Sequence, residues 1–517
     1  MKLHNLLVFI FGLLFSVFPF PSLSQTPRYQ NWYPMYCDTI QGANIKGAMA
    51  YLQKMKLKPR KTVVVGIIDS GIDTTVVDLQ DALWTNKKEK PFDGKDNDHN
   101  GYVDDVHGWN FLGTADGKFN MTSAGTEEYR QFKRLYPKYK NVRAKDVNNL
   151  EEFRFYLKMK KKAGIDGYLR MYQFTKLKNK ALHIADSILR KITNIDTLTI
   201  YGVMHIEVPD TMWQQVSQTF YVDLLKNDGA TKWTAFLHEQ DAKWALMQSR
   251  VYGIEHTKDK RLLMGDELTN ANDILYGNHT LTVGGCYHGT FVAGVIAAQG
   301  KYGNPKICGV YPNAKLMIIR AAPDGDEYDK DVATAIRYAV DNGAKIINIS
   351  LGKYTSPTPQ MVNKAIAYAA KKNVMVVQAA GNNHLNIDSV AYYPTGRDNN
   401  GKFYSNFIRI GASTRKGNVA SMSNYGKNTV HLFAPGEKIT SVVPGNKYAT
   451  EDGTSIAAPI VSGVAALIRS YFPKLTASEV VSILMRSVRT MKECNMSISG
   501  GMLDALRAVK LAQKIRK

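Results

Sequence analysis

The segment Thr62-Val-Val-Val-Gly-Ile-Ile68 constrains this chain more than any other. It carries no charge, and every residue except Gly66 is β-branched. Such a run has no polar face to offer water. It therefore reads as a strand buried on both faces of a parallel sheet, and Asp69-Ser-Gly-Ile-Asp73 closes it as a turn. Similar apolar runs recur at Lys315–Arg320, Lys345–Ser350, Val374–Gln378 and Phe407–Gly411. Helical patterns lie between them, as in Lys330–Asn342 and Thr358–Lys372. Strand and helix in alternation predict an α/β fold: a doubly wound, mostly parallel sheet flanked by helices. In such sheets, reactive residues gather at the carboxyl ends of strands, and Asp69 stands at one of them.

The pattern breaks between residues 113 and 280. This stretch lacks buried β-branched runs and carries helical periodicity, for example Leu177, Ala181, Ile184, Ile188 and Ile192. It reads as a mainly helical insertion, which leaves 61–112 and 281–517 as the two parts of one α/β domain. At the other end, Lys2 precedes an apolar run, Leu6 to Phe18, and small residues follow at Ser22 and Ser24. That order describes a secretory leader over residues 1–24. It predicts an exported or secreted chain, in the periplasm or cell envelope if the source is bacterial, with 25–60 as a separate N-terminal segment. No later stretch reads as a membrane span. In an exported protein, Cys37, Cys286, Cys308 and Cys494 would allow two disulfides in three pairings, and buried free thiols are the equal alternative. A Cys286–Cys308 bridge would tie the His288 segment to the strand that follows it.

Lys and Arg number 67 against 45 Asp and Glu. A basic balance of this size is compatible with binding nucleic acid or an anionic surface. The excess is spread over the chain, with one basic concentration at residues 130–191. No nucleic-acid partner is expected. The run Arg154…Lys158-Met-Lys-Lys-Lys162 reads as the solvated face of a helix.

Three motifs then follow in order: Val65-Gly-Ile-Ile-Asp69-Ser-Gly, His288-Gly-Thr-Phe-Val-Ala-Gly294 and Gly453-Thr-Ser455-Ile-Ala-Ala-Pro459. Alone, each has an ordinary structural reading: a strand end, a packed histidine, a helix cap. Together they supply an acid, a base and a nucleophile in the chain order Asp, His, Ser. An imidazole titrating near neutrality is suited to take the proton of a serine hydroxyl, and a carboxylate behind it holds the tautomer.

These motifs resemble those of the subtilases, the subtilisin-like serine proteases, whose catalytic residues run in that order. The resemblance covers residues 62–112 and 281–510. It extends to Asn348-Ile-Ser-Leu-Gly352, Ala379-Ala-Gly-Asn382 and Gly309-Val-Tyr-Pro-Asn-Ala314. It implies a serine endopeptidase with Asp69, His288 and Ser455 as catalytic residues, working through an acyl-enzyme. Asn382 would help bind the oxyanion. Ser350, Leu351, Gly352 and Gly381 would line the substrate cleft, where a protein or peptide lies as an extended strand. Phe291 stands where the family usually has a second histidine, which implies altered packing rather than lost chemistry. No cofactor is required for that chemistry.

The family's frequent structural calcium gives weight to a second motif. Asp96, Asp98, Asn100 and Gly101 match the start of a calcium loop, with Asp104 close behind. His107 stands where a helix–loop–helix site would have glutamate, so a polar turn network is the alternative. Subtilases are often made with an inhibitory prosegment, and residues 25–60 are short for one. The segment packs on the body, or is a reduced prosegment, or the insertion takes over regulation. Two rival functions remain at this level: a catalytically degenerate binding or scaffold protein on the same fold, and a polyanion-binding surface protein built around the insertion.

Overall fold

The computed structural model describes residues 31–302 and 307–516. The leader read over residues 1–24 lies outside the described residues, as do the first residues of the 25–60 segment. Nine strands form one sheet. In spatial order they are Arg489–Thr490, Gly501–Met502, Leu432–Pro435, Phe407–Ser413, Met375–Ala379, Ile346–Ile349, Val64–Asp69, Lys315–Arg320 and Gly108–Asn110. All neighbours run parallel except the first pair. The fold is thus the α/β, mostly parallel architecture expected, with helices on both faces.

The apolar runs become strands because each side of the sheet has its own core. Val65 and Ile67 are buried in one core with the helices Tyr287–Ala297 and Thr454–Tyr471. Ile68 and Ile347 are buried in the other with Asp329–Asp341 and Pro359–Lys371. A strand with a helix layer on each face favours apolar residues along its length, as in Val64–Ile68, and a polar residue within it, such as Asn348, needs buried partners. The register sets what emerges at that end. Ile68 pairs with Ile349 and Asp69 with Arg320, so Asp69 and Ser350 leave the sheet side by side.

Thr454–Tyr471 has the length and apolar composition of a membrane span, a match the sequence reading did not note. It is 94% buried, and its apolar surface faces the core of the domain. Among the described residues there is no disulfide, so Cys286 and Cys308 are not joined. Cys286 is buried at the start of the Tyr287–Ala297 helix, and burial pushes its thiol up from the ordinary range. That disfavours a thiolate nucleophile beside His288.

Between the strand Gly108–Asn110 and the helix Tyr287–Ala297, the chain forms a helical unit. Its longest members are Glu127–Tyr139, Leu150–Lys162, Ile165–Ile192 and Trp233–His256. Two apolar clusters, one around Trp233 and Phe220 and one around Phe132 and Tyr156, belong to this unit. Its ends are clasped together. Asn110 and Asn278 exchange both backbone hydrogen bonds, and their side chains meet Asn120. The basic run over Arg154–Lys162 falls on the Leu150–Lys162 helix, with Arg154, Lys158 and Lys161 exposed.

Residues 31–60 pack on the body. Trp32 and Tyr33 are buried in its core, Trp32 Nε1 donates to the Glu437 carbonyl, and Tyr51 bonds Gln513 on the last helix. Of the readings left open for this segment, packing on the domain is what the structure describes.

Candidate active site

Asp69 ends its strand buried, at 2% exposure. Its Oδ1 accepts hydrogen bonds from the backbone N–H of Ser70 and from His288 Nδ1, both at 2.8 Å. His288 lies in the first turn of the Tyr287–Ala297 helix, with its side chain 43% exposed. Gly289 explains the close approach. A Cβ there would lie 2.0 Å from the Gly71 carbonyl oxygen and 3.2 Å from Asp69 Oδ1, so any side chain would force the helix away from the strand end. Burial works against a charge on His288, but the Asp69 carboxylate outweighs it and raises the imidazole above its ordinary value.

Ser455 lies in the first turn of the Thr454–Tyr471 helix, where backbone N–H groups are unpaired and the helix dipole favours negative charge. Asn382 follows the strand Met375–Ala379. Its Oδ1 accepts from the Thr454 N–H and hydroxyl, both at 2.8 Å, which turns Nδ2 away as the free donor. A Cβ built on Gly453 would be 3.0 Å from Ser455 Oγ and 3.4 Å from Asn382 Nδ2. Hydroxyl and amide therefore face one small space that a glycine leaves open. No hydrogen bond joins His288 to Ser455 among the described residues; such contacts are often loose until substrate is bound.

Ser350 donates from Oγ to the Ser455 carbonyl at 2.7 Å. Asn348 Nδ2 donates to Ser350 Oγ, and Ser462 donates to Asn348 Oδ1. This buried chain locks the Ile346–Ile349 strand to the Ser455 helix. Leu351 and Gly352 follow Ser350 in the chain, and the Gly381 N–H bonds to Thr454 Oγ1 at 2.9 Å. The sequence-read residues thus fall into two groups: Asp69 is bonded to His288, and Ser350, Gly381 and Asn382 are bonded to Ser455 or its neighbour Thr454. Phe291 is buried in the core, consistent with a packing role.

The insertion is fastened beside these residues by buried ion pairs. Lys353, next after Gly352, pairs with Glu127 of the insertion at 2.9 Å and with Asp329 at 3.0 Å, and donates to the Glu327 carbonyl at 2.7 Å. Arg130 reaches the Asp326 carbonyl at 2.7 Å and pairs with Glu127. The short strand Ser123–Gly125 pairs with Asp324–Gly325. A second cluster joins Arg261 to Asp331 at 2.6 Å and to Asp266, and Lys330 to Asp266 at 2.6 Å. Nothing in the spacing of these charges marked them as buried partners.

The acidic loop is rearranged relative to the calcium-loop expectation. Asp96 and Asp98 come together with Glu89, their carboxylate oxygens all within 4.8 Å. Asn100 and Asp104 have other partners. Asn100 bonds Tyr102 N–H and Asp105, and Asp104 accepts from the N–H groups of Asp93 and Gly94. Glu89 is 6% exposed, and its Oε1 accepts from Asn97 and Asp98 N–H. Its Oε2 is buried with no hydrogen-bond partner. An unpaired buried carboxylate oxygen beside two more carboxylates is a costly arrangement in the absence of a cation, and all-oxygen donors suit calcium. The residues present therefore fit that ion.

The structure thus holds a buried carboxylate bonded to an imidazole, and a serine at a helix N-terminus with an amide donor facing the same space. The comparisons with known proteins agree. The subtilase family pattern matches residues 266–502. The thermophilic serine proteinase of Bacillus sp. (strain AK1) is 41% identical over 184 residues, which is 35% of this chain and 42% of that protein. Subtilisin BL of Lederbergia lenta is 33% identical over 215 residues, or 41% of this chain and 74% of that one. A protease structure from Pseudoalteromonas arctica is 30% identical, covering 47% of this chain and 75% of its own, at a TM-score of 0.38. The chain belongs to the subtilase family of serine proteases.

Proposed function

We propose that this chain is an exported serine endopeptidase that cleaves proteins or peptides through Asp69, His288 and Ser455. The observation that carries this reading is the 2.8 Å bond between His288 Nδ1 and Asp69 Oδ1, with Ser455 and Asn382 facing one space. His288 Nε2 takes the proton of Ser455 Oγ as that oxygen attacks the scissile carbonyl. The oxygen of the tetrahedral adduct accepts from Asn382 Nδ2 and the Ser455 N–H. Collapse breaks the C–N bond, and His288 returns the proton to the leaving amine. Water repeats the sequence on the acyl-enzyme and restores Ser455. The leader over residues 1–24 supports export. The buried charges that hold the insertion to the body support this reading over the one built on a free polyanion-binding insertion.

The test is labelling of the full chain with a fluorophosphonate probe, followed by mapping of the modified residue. Modification at Ser455 is expected; an active protein labelled elsewhere would overturn the assignment.

Calcium belongs to the same proposal as a structural ion held by Glu89, Asp96 and Asp98, with no part in the chemistry. Ligand present at a hundred times its dissociation constant stabilises a fold by about 2.7 kcal/mol. Millimolar calcium is expected to raise the melting temperature by several degrees over an EDTA-treated sample. Glu89→Gln, which keeps the acceptor of the Asn97 and Asp98 N–H groups, should abolish the increment. A melting temperature indifferent to EDTA would refute the site.

A further inference from the structure

The longest helix of the insertion, Ile165–Ile192, carries two kinds of surface along one seam. Met171, Phe174, Lys178, Ala181 and Ala185 follow one another at alternating steps of three and four residues, so they stand on one face. Ala181 and Ala185 are buried in the cluster around Trp233 and Phe220. Lys178 comes next, with its Nζ 3.1 Å from Asp223 Oδ2 and 3.2 Å from Gln240 Oε1. Beyond Lys178 the seam stays apolar but loses its cover: Phe174 is 59% exposed and Met171 58%. Leu177, beside them, is 65% exposed.

The Lys178–Asp223 pair brings a second apolar group alongside. Asp223 lies in the short helix Tyr221–Leu225, where Leu224 is buried and Tyr221, Val222 and Leu225 are exposed. More than half of the large apolar side chains exposed among the described residues belong to the insertion, although it is the smaller part of the chain. Exposed apolar side chains scattered singly are ordinary; a group of them on two neighbouring helices marks an interaction surface. The exposed side chains that flank this group are largely cationic. Arg170, Lys176 and Lys180 stand on the long helix, and Lys226 follows the short one. Among the described residues, none of these four is in an ion pair. The acids close by are already engaged: Asp166 with Lys160, Asp223 with Lys178, and Asp228 with the Ala230 N–H. Free cations beside exposed apolar side chains complement an anionic bilayer, where apolar groups enter the headgroup boundary and cations meet lipid phosphates. A second copy of the chain is a poorer occupant, because two-fold self-association would set the same unpaired cations against each other.

We propose that the Phe174 face of the insertion is a docking surface for an anionic lipid bilayer, and that it holds the α/β domain at the membrane surface. Phe174, Leu177 and Val222 enter the headgroup boundary, and the four cations lie against lipid phosphates. The buried ion pairs of Lys353 with Glu127 and of Arg261 with Asp331 fix the insertion to the body, so docking one part positions the other. The surface needs nothing from Ser455, and its test stands apart from that of the protease reading.

The experiment is co-sedimentation with vesicles of phosphatidylcholine, alone or mixed with an equal amount of phosphatidylglycerol, at low and at high salt. Residues 25–517 are used, so that the apolar leader does not itself bind lipid. Binding to the mixed vesicles is expected, and it should weaken by at least about 10-fold when phosphatidylglycerol is omitted or salt is raised. Each cation at the lipid surface contributes about fivefold, so Lys176→Gln with Lys180→Gln should weaken binding by about 25-fold. Phe174→Ser with Leu177→Ser should weaken it by at least about 10-fold, because these side chains leave water on docking. All four side chains are exposed, so the melting temperature of both variants should match that of the natural chain. A natural chain that stays in the supernatant with the mixed vesicles overturns the proposal. So does binding that survives Phe174→Ser with Leu177→Ser undiminished, which would mean attraction by charge alone. Sedimentation velocity without vesicles completes the test. A natural chain that is dimeric, with a double-serine variant that is monomeric, would assign this face to a second copy and overturn the proposal.

Discussion

Ser455→Ala is expected to lower kcat on casein or a peptide by about 10⁶-fold while leaving the melting temperature nearly unchanged. The large effect follows from the loss of the proposed attacking atom. The small effect on stability follows from what Ser455 Oγ does in the resting fold. The lock between this helix and the sheet uses the Ser455 carbonyl, which accepts from Ser350, and alanine keeps that carbonyl. Removing one oxygen that makes no hydrogen bond in the core costs little. The residual rate should come from Asn382 and the helix N–H groups acting on a water-attacked carbonyl. Hydrolysis that survives the substitution undiminished would sink the assignment and return the degenerate-binder reading to the front.

Asp69→Asn is the second large effect, about 10⁴-fold in kcat, with the fold intact. Asparagine has the same volume and keeps one oxygen. The His288 Nδ1–H now competes with the Asn amide, and the imidazole is no longer held with its lone pair at Nε2. A base presenting N–H to Ser455 cannot accept its proton. The pH profile adds a readout that lost positioning alone would not move. Activity needs neutral His288, and the Asp69 carboxylate raises the imidazole above its ordinary value. The acid limb of kcat/KM in the natural chain is therefore expected at higher pH than an unperturbed imidazole would give. Removal of the carboxylate should shift the limb of the remaining activity to lower pH. A limb that stays in place would mean that another group sets it.

The residues proposed for catalysis were legible because they lie at a strand end and at helix starts. Asp69 is read from the end of an apolar run, and His288 and Ser455 from glycine-flanked helix starts. Parallel register then brings such positions together without further information. Residues whose roles depend on packing between distant loops were not legible. Glu89 joins Asp96 and Asp98 through a turn that returns over several residues, so the spacing within the Asp96–Asp104 motif pointed instead to Asn100 and Asp104. Those two are consumed by the loop's own backbone. Lys353 of the body and Arg261 of the insertion look like any surface cation until the two parts pack together.

The asparagine clasp at the root of the insertion bears on how the chain reaches its fold. Asp69 and His288 are 219 residues apart, and joining them means closing a long loop. Loop entropy grows only logarithmically with length, by about 0.6 kcal/mol for each doubling. Once Asn110 and Asn278 have met, the chain still to be closed between Asp69 and His288 is roughly fourfold shorter, a saving of about 1 kcal/mol. The helical unit has its own apolar clusters, separate from those of the sheet. It is therefore able to condense locally and pull its two ends together before the sheet is complete. A protease can carry an interruption of this size between its acid and its base because, to the folding domain, the interruption presents itself as little more than a short loop.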